Sequence, residues 1–383
     1  MSNTPLRPLG GRLITPTTVA LAILVIIGGY FIVQRYMHGL GAVTNLNQGY
    51  PWGLWIAVDI VIGTAFGCGG FAIALLVYIF NKNEYHPLIR PALLGGLFGY
   101  TLAGVAVIID LGRYWQVYNI LLPWYAQPNS VMFEVALCVA AYVVVLWIEF
   151  APAFLERFDL TDLRKKLQNV MFVIVGLGVL LPTMHQSSLG TMLLVMGSQL
   201  SPLWYTTWLP LLYLMTALAM GYSVVMFEAT VVSNSFGLPS EQPLLSKLSV
   251  VVGWLLAAFL VVRFVDLAIG DAMADAYKGD LIAWLFWIEN LLFAGAVAVL
   301  LTPAGRASQR ACFLAAVAIL VAGSLYRFDS YLVAYSPPQN YTYFPSVPEL
   351  MVTIGIISLE ILLYLVFIKT LPVLQSAHGR QSS

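Results

Sequence analysis

Charge, histidine and cysteine are all scarce in this chain, and each shortage removes a class of chemistry. Asp, Glu, Lys and Arg make up 9% of the 383 residues, with 18 basic and 18 acidic side chains in balance. No basic excess exists to neutralise phosphates, so nucleic acid is not expected as a partner. The three cysteines, Cys68, Cys138 and Cys312, lie far apart inside apolar stretches and form no C-x-x-C pair. A disulfide framework, a zinc site and a self-held iron–sulfur cluster are therefore not expected. The histidines are His38, His86, His185 and His378. Metal or haem chemistry must be built from these few or belong to a partner.

What the chain has in abundance is hydrocarbon. Hydrophobic residues make up 60% of it and the mean hydropathy is +0.86, beyond what a soluble domain of this length sustains. About 20 apolar residues cross a bilayer as a helix. On that basis the sequence predicts an all-α integral membrane protein, a polytopic bundle of about ten transmembrane helices. The segments are roughly 17–37, 54–80, 91–110, 130–150, 169–186, 208–232, 249–269, 281–301, 311–334 and 348–368. The first is preceded by Arg7 and Arg12 like a signal peptide, but no small-residue cleavage pattern follows, so it reads as a retained helix. Pro51, Pro87, Pro91, Pro152, Pro210, Pro303 and Pro348 fall at or near the proposed ends. The bundle spans 17–368, between an N-terminal segment 1–16 and a tail 369–383.

Loop charge sets the expected direction. Connections on one side carry thirteen Lys/Arg, and those on the other carry only Arg113 and Lys278. Positive residues stay inside, so both termini are expected to be cytoplasmic. Arg35, Arg263 and Arg327 lie within helices toward the outer end. Snorkelling to the interface explains Arg35. Arg263 and Asp266, three apart, suggest a local ion pair, whereas Arg327 and Asp329 need partners on other helices.

An ionisable side chain at mid-bilayer costs roughly 2.5–3.5 kcal/mol on insertion scales, so many of them imply transport of protons, electrons or solutes. Asp59, Asp110, Glu134, Asp266, Asp329 and His185 fall toward the outer side. Glu289 and Glu360 fall near mid-depth, and Glu149 and Glu228 near the cytoplasmic side. That spread suits a proton relay, although each acid also has a structural reading as a packing or ion-pairing group. Glu134 and Glu228 stand out because no basic residue lies within a turn of either. Gly63/Gly67 and Gly95/Gly99 are spaced for close helix approach, packing helices rather than interrupting them. Outer loops 111–129 and 187–208 are aromatic and almost uncharged, either as an interfacial belt or as a platform for a partner or a lipid-soluble ligand.

Several motifs together resemble a known family: Pro51-Trp52-Gly53 with Asp59, YHPLIRPALL (85–94), IDLGRYW (109–115), NSVMFE (129–134), EFAPAFLERF (149–158) and LPTMHQSSLG (181–190). They are similar to the quinone-reactive membrane subunits of the NrfD and polysulfide-reductase type. The length and the LPTMHQSS stretch are most similar to the branch found in respiratory nickel–iron hydrogenases, often labelled b-type cytochromes. The resemblance implies a multi-pass anchor in a bacterial inner membrane, without redox centres of its own. A ferredoxin-like iron–sulfur subunit, with the large and small hydrogenase subunits, would dock on the periplasmic face. Electrons would pass to menaquinone or ubiquinone, with the iron–sulfur clusters and the nickel–iron centre confined to the partners and no haem expected.

On this reading Glu134, Glu228 and His185 are the candidate proton-transfer residues, and Asp59, Asp110, Arg113 and His185 the candidate quinone-binding residues. Arg113 would polarise a carbonyl, His185 or Glu134 would deliver a proton, and Glu228 would connect the site to the cytoplasm, with Glu149, Glu289 and Glu360 as optional rungs. No metal ligands are expected. The alternatives are another NrfD-type oxidoreductase subunit, a proton-coupled secondary transporter, or a plain tether.

Overall fold

The structure, a computed structural model, describes residues 6–338 and 341–375. The outer parts of segments 1–16 and 369–383, with His378, lie outside the described residues. Backbone amides in hydrocarbon must bond within their own segment, so long apolar runs become helices. Ten are long and apolar enough to cross a membrane among the described residues, each overlying one expected segment: Pro16–His38, Ile56–Ile79, Asn83–Asp110, Val131–Arg157, Thr161–Leu194, Leu209–Phe236, Gln242–Ile269, Leu281–Leu301, Gln309–Val333 and Val347–Thr370. The chain is an all-α, multi-pass integral membrane protein.

Its α-helices are α1 (Pro16–His38), α2 (Gly63–Phe66), α3 (Gly69–Ala74), α4 (Ile89–Asp110), α5 (Val131–Arg157), α6 (Thr161–Leu194), α7 (Leu209–Phe236), α8 (Gln242–Ile269), α9 (Leu281–Leu301), α10 (Pro303–Ala307), α11 (Gln309–Phe328) and α12 (Val347–Thr370). A short ribbon pairs β1 (Leu6–Arg7) with β2 (Leu374–Gln375), so both ends of the described chain meet on one face, here the terminal side. Helix starts follow capping chemistry. Ser130, Asp280 and Ser308 accept first-turn amides, and Thr15/Thr18 and Ser346/Glu349 form reciprocal capping boxes.

Three expectations change. Helix α6 has 34 residues where 169–186 was expected, so part of the presumed loop 187–208 is helix. At 1.5 Å per residue it is about 51 Å long, more than a ~30 Å hydrocarbon core needs. Pro152 and Pro182 are accommodated inside α5 and α6.

The second span is interrupted rather than merely packed by glycine. Its ends, Ile56–Ile62 and Leu75–Ile79, are π-helical, and α2 and α3 are separated at Gly67–Cys68. The break lies where α4 presses closest: a Cβ on Gly96 would stand 2.7 Å from the Gly67 carbonyl oxygen, and one on Gly99 3.3 Å from Gly67 Cα. This discontinuous span is the most buried of the ten.

The arginines also differ from expectation. Arg35 does not snorkel. It is 2% exposed, and its Nε donates to the Ile109 carbonyl at 2.6 Å while Nη2 donates to that of Leu111, capping the negative end of α4. Arg263 pairs across to Glu289 on α9 at 2.5 Å instead of with Asp266 on its own helix, because its buried face of α8 packs on α9. Arg327 does find other helices, donating to the Val61 carbonyl at 2.9 Å and the Tyr213 carbonyl at 2.8 Å.

Candidate functional site

The second span holds the site together because its π-helical first part and the α2 turn that follows point polar groups in three directions. A π turn widens the helix and offsets its carbonyls, a distortion common where side chains must be re-aimed. Asp59 faces α12, where its Oδ2 accepts from Thr353 Oγ1 at 3.2 Å. The Val61 carbonyl is taken by Arg327 from α11. Thr64 faces α6, and its hydroxyl proton goes to the Ile60 carbonyl at 2.6 Å.

That last bond decides the state of His185. Thr64 Oγ1 lies 3.0 Å from Gln186 Nε2 and 3.2 Å from His185 Nε2. With its only proton committed, the hydroxyl accepts from both, so His185 carries its proton on Nε2 and leaves Nδ1 a bare acceptor. Both Nδ1 and Gln186 Oε1 are buried without a hydrogen-bond partner. Gln186 also donates to Tyr100 at 3.2 Å, and Tyr100 lies 3.5 Å from Cys68 Sγ. One turn along α6, Ser188 donates to Glu134 Oε1 at 2.8 Å, so Glu134 meets α6 one turn from His185. His185 is not at the end of its helix, as expected, since α6 continues to Leu194.

The other expected residues fall elsewhere. Asp59 and Asp110 lie toward α12 and Arg35, and Arg113 is exposed at the start of the loop after α4. The polar face of α12 joins Asp59 to the far side. Glu360 lies within electrostatic reach of both Asp59 and Glu228, giving a carboxyl series from Asp110 through Asp59 and Glu360 to Glu228. Glycines on α4 make room for it: Cβ atoms at Gly95 and Gly99 would stand 2.8 and 3.3 Å from the Glu228 and Glu360 carboxylates. Glu228 lines a recess of about 740 Å³ on the terminal side, together with Tyr364 and Ser233. Two expected rungs are outside this series: Glu289 is held by Arg263, and the Glu149 carboxylate lies against Gly178.

A family model described as polysulphide reductase, NrfD, matches residues 42–334. The chain belongs to the NrfD family. It is 43% identical to the Escherichia coli K12 protein named "Probable Ni/Fe-hydrogenase 2 b-type cytochrome subunit", across 100% of this chain and 99% of that one. It is 28% identical, over 81% of its length and 79% of the relative's, to the "Menaquinone reductase, integral membrane subunit" of Nitratidesulfovibrio vulgaris Hildenborough. A selenate reductase subunit of Mesobacillus selenatarsenatis is 21% identical across 92% of this chain and 93% of its own. The chain is thus an NrfD-type membrane subunit of the kind found in hydrogenases and other oxidoreductases, and the expected bacterial inner-membrane location agrees with these relatives.

The "b-type cytochrome" in the relative's name invites a test for haem. A bis-histidine haem takes two axial histidines on facing helices. His38 and His86 are exposed near opposite faces of the bundle, and His185 is fully buried against Thr64. The described histidines do not supply such a facing pair. Sequence reading missed Thr64, Gln186 and Tyr100, all part of the buried network. The visible signal was HQSS (185–188), four consecutive polar residues within the apolar part of α6.

Proposed function

We propose that this chain is the quinone-reactive membrane subunit of a hydrogen:quinone oxidoreductase. Full-length similarity to a hydrogenase subunit and the name of the menaquinone reductase relative support this. A ferredoxin-like iron–sulfur subunit, with the large and small hydrogenase subunits, docks opposite the termini. There Trp115, Tyr118, Trp124 and Tyr125 stand exposed on an almost uncharged loop. The excess of Lys/Arg on terminal-side connections supports cytoplasmic termini, making the docking face periplasmic.

Menaquinone or ubiquinone, when bound, takes up two electrons and two protons. His185 Nδ1 and Gln186 Oε1 are the acceptors available to the hydroxyls of its reduced form, and Glu134 stands one turn away as the candidate proton-transfer residue. Arg113 stands nearer the docking face. Asp110, Asp59, Glu360 and Glu228 pass protons between this region and the terminal-side recess, while Glu149 and Glu289 take no part.

The observation that carries the reading is the pair of unsatisfied acceptors on adjacent residues, buried in the network that Thr64 organises. In the assembled complex, Glu134→Gln is expected to lower hydrogen-to-quinone turnover by at least ~10²-fold, the usual scale for a general acid or base, and His185→Ala to weaken quinone binding through the lost Nδ1 acceptor. Hydrogen oxidation with a soluble dye should persist. Full quinone activity in both variants would overturn the assignment. The identity of the co-purifying catalytic subunit tests the alternative of another NrfD-type oxidoreductase.

A further inference from the structure

We propose that Arg263 and Glu289 form a second proton-exchanging centre, reached by water from the side opposite the termini and separate from the Glu228 series. The pair lies between α8 and α9, with side chains 3% and 0% exposed. A buried ion pair is tolerable only when its remaining lone pairs and protons are satisfied. Here protein does not satisfy them fully: Arg263 Nη1, Glu289 Oε2, Asn290 Oδ1 and Tyr326 OH are buried without a well-formed hydrogen bond, with the Trp204 indole the neighbour nearest to supplying one to Glu289. Four such atoms drawn from three helices mark a polar centre built to hold water.

A narrow crevice points to the route. It is lined by Trp204, Tyr205, Thr206, Arg263, Asp266 and Tyr326, and so reaches the Arg263 side of the pair. It lies under the connection before α7, where Tyr205 is exposed. That guanidinium is held by the rings of Tyr326 and Phe286, at 4.8 and 4.9 Å, so it keeps its place without Glu289.

A second carboxylate is what turns an ion pair into an exchanger. Asp266 shares the crevice with Arg263, and Asp329 lies within electrostatic reach of both Arg263 and Glu289. Tyr326 on α11 faces both members of the pair, Tyr205 lies at the mouth, and Arg327 and Tyr213 lie behind Tyr326. Hydronium arriving through the crevice gives its proton to Glu289 Oε2. An O–H bond forms there, water is released, and the guanidinium, still held by its rings, is balanced by Asp329 instead. Release runs in reverse. A proton-motive role for this centre rests on the proposed oxidoreductase function, but the exchange itself does not.

The test is pH-jump infrared difference spectroscopy of the intact complex in liposomes, in H2O and D2O. Acidification should reveal a carboxylic acid band that shifts in D2O, survives in Glu228→Gln and vanishes in Glu289→Gln. If Glu289→Gln fails to assemble, the neutral double variant Arg263→Gln/Glu289→Gln serves, and it must also lack the band. A bulky thiol reagent on Thr206→Cys should slow the D2O shift at least tenfold. A band retained in the Gln variants, or a shift rate indifferent to the blocked crevice, overturns the proposal. Failure of the oxidoreductase reading shows separately, as a wild-type complex that holds the band but passes no electrons to quinone.

Discussion

Gly95 of α4 seats the carboxylate of Glu228: a Cβ there would stand 2.8 Å from Oε1. The neighbouring Gly96 meets backbone instead, 2.7 Å from the Gly67 carbonyl oxygen. The end of a glutamate side chain can swing aside into the recess, whereas a carbonyl held in a helix break cannot. Gly95→Ala should therefore change stability by less than ~0.5 kcal/mol while slowing proton uptake in liposomes. Gly96→Ala should cost about 1–3 kcal/mol through overpacking. Thermal unfolding of the two variants checks this, and equal shifts would refute the asymmetry.

Arg327 holds the second span to α7 and α11 through charged hydrogen bonds to the carbonyls of Val61 and Tyr213. Each such bond contributes roughly 1.5–3 kcal/mol. Arg327→Leu should lose most of that and accumulate poorly in membranes, and Arg327→Lys, without the fork that reaches two carbonyls, should recover only part. Arg113→Ala, at an exposed position, should remain within ~0.5 kcal/mol of wild type. Denaturation in detergent distinguishes the three.

Helix α1 depends on one close crossing with α12. A Cβ on Gly28 would stand 2.9 Å from both Gly355 Cα and the Met351 carbonyl oxygen. Gly28→Val should lift α1 away and withdraw the Arg35 cap from α4. The readout is a disulfide between engineered cysteines on α1 and α12, formed readily in the parent and poorly in the variant.

Alkaline pH should loosen the connection before α12. The Tyr343 hydroxyl donates to Glu349 Oε1 at 2.5 Å and accepts the Leu54 amide at 2.9 Å. Burial, then the Glu349 carboxylate, raises the phenol's pKa above its ordinary value. Stability from the protonated phenol is thus complete below tyrosine's usual pKa of ~10 and is lost as pH climbs beyond it. Tyr343→Phe should cost about 1 kcal/mol at neutral pH and flatten the alkaline decline. An unchanged decline in the variant would remove Tyr343 as its cause.

Parts of the candidate site were readable in the chain and parts were not. Glu134, His185 and Glu228 stood out because a polar group inside an apolar run is conspicuous one residue at a time. Thr64, Gln186 and Tyr100 were inconspicuous because such residues occur throughout membrane helices, and only a shared partner distinguishes them. Arg263 was misassigned for a related reason. Asp266 was its nearest acid along the helix, but Glu289 faced it from the next one.

The amino-acid sequence by itself determined ten crossings, their approximate limits and which connections carry positive charge, since these depend on runs of neighbouring side chains. Only the tertiary structure decided which buried groups meet: Glu360 with Asp59 and Glu228, Glu289 with Arg263, His185 with Thr64. A helix turns about 100° with each residue, so a shift of one position changes the neighbour a side chain faces. A π turn or a glycine break in one span shifts every position after it, and packing against the other helices settles where those breaks fall.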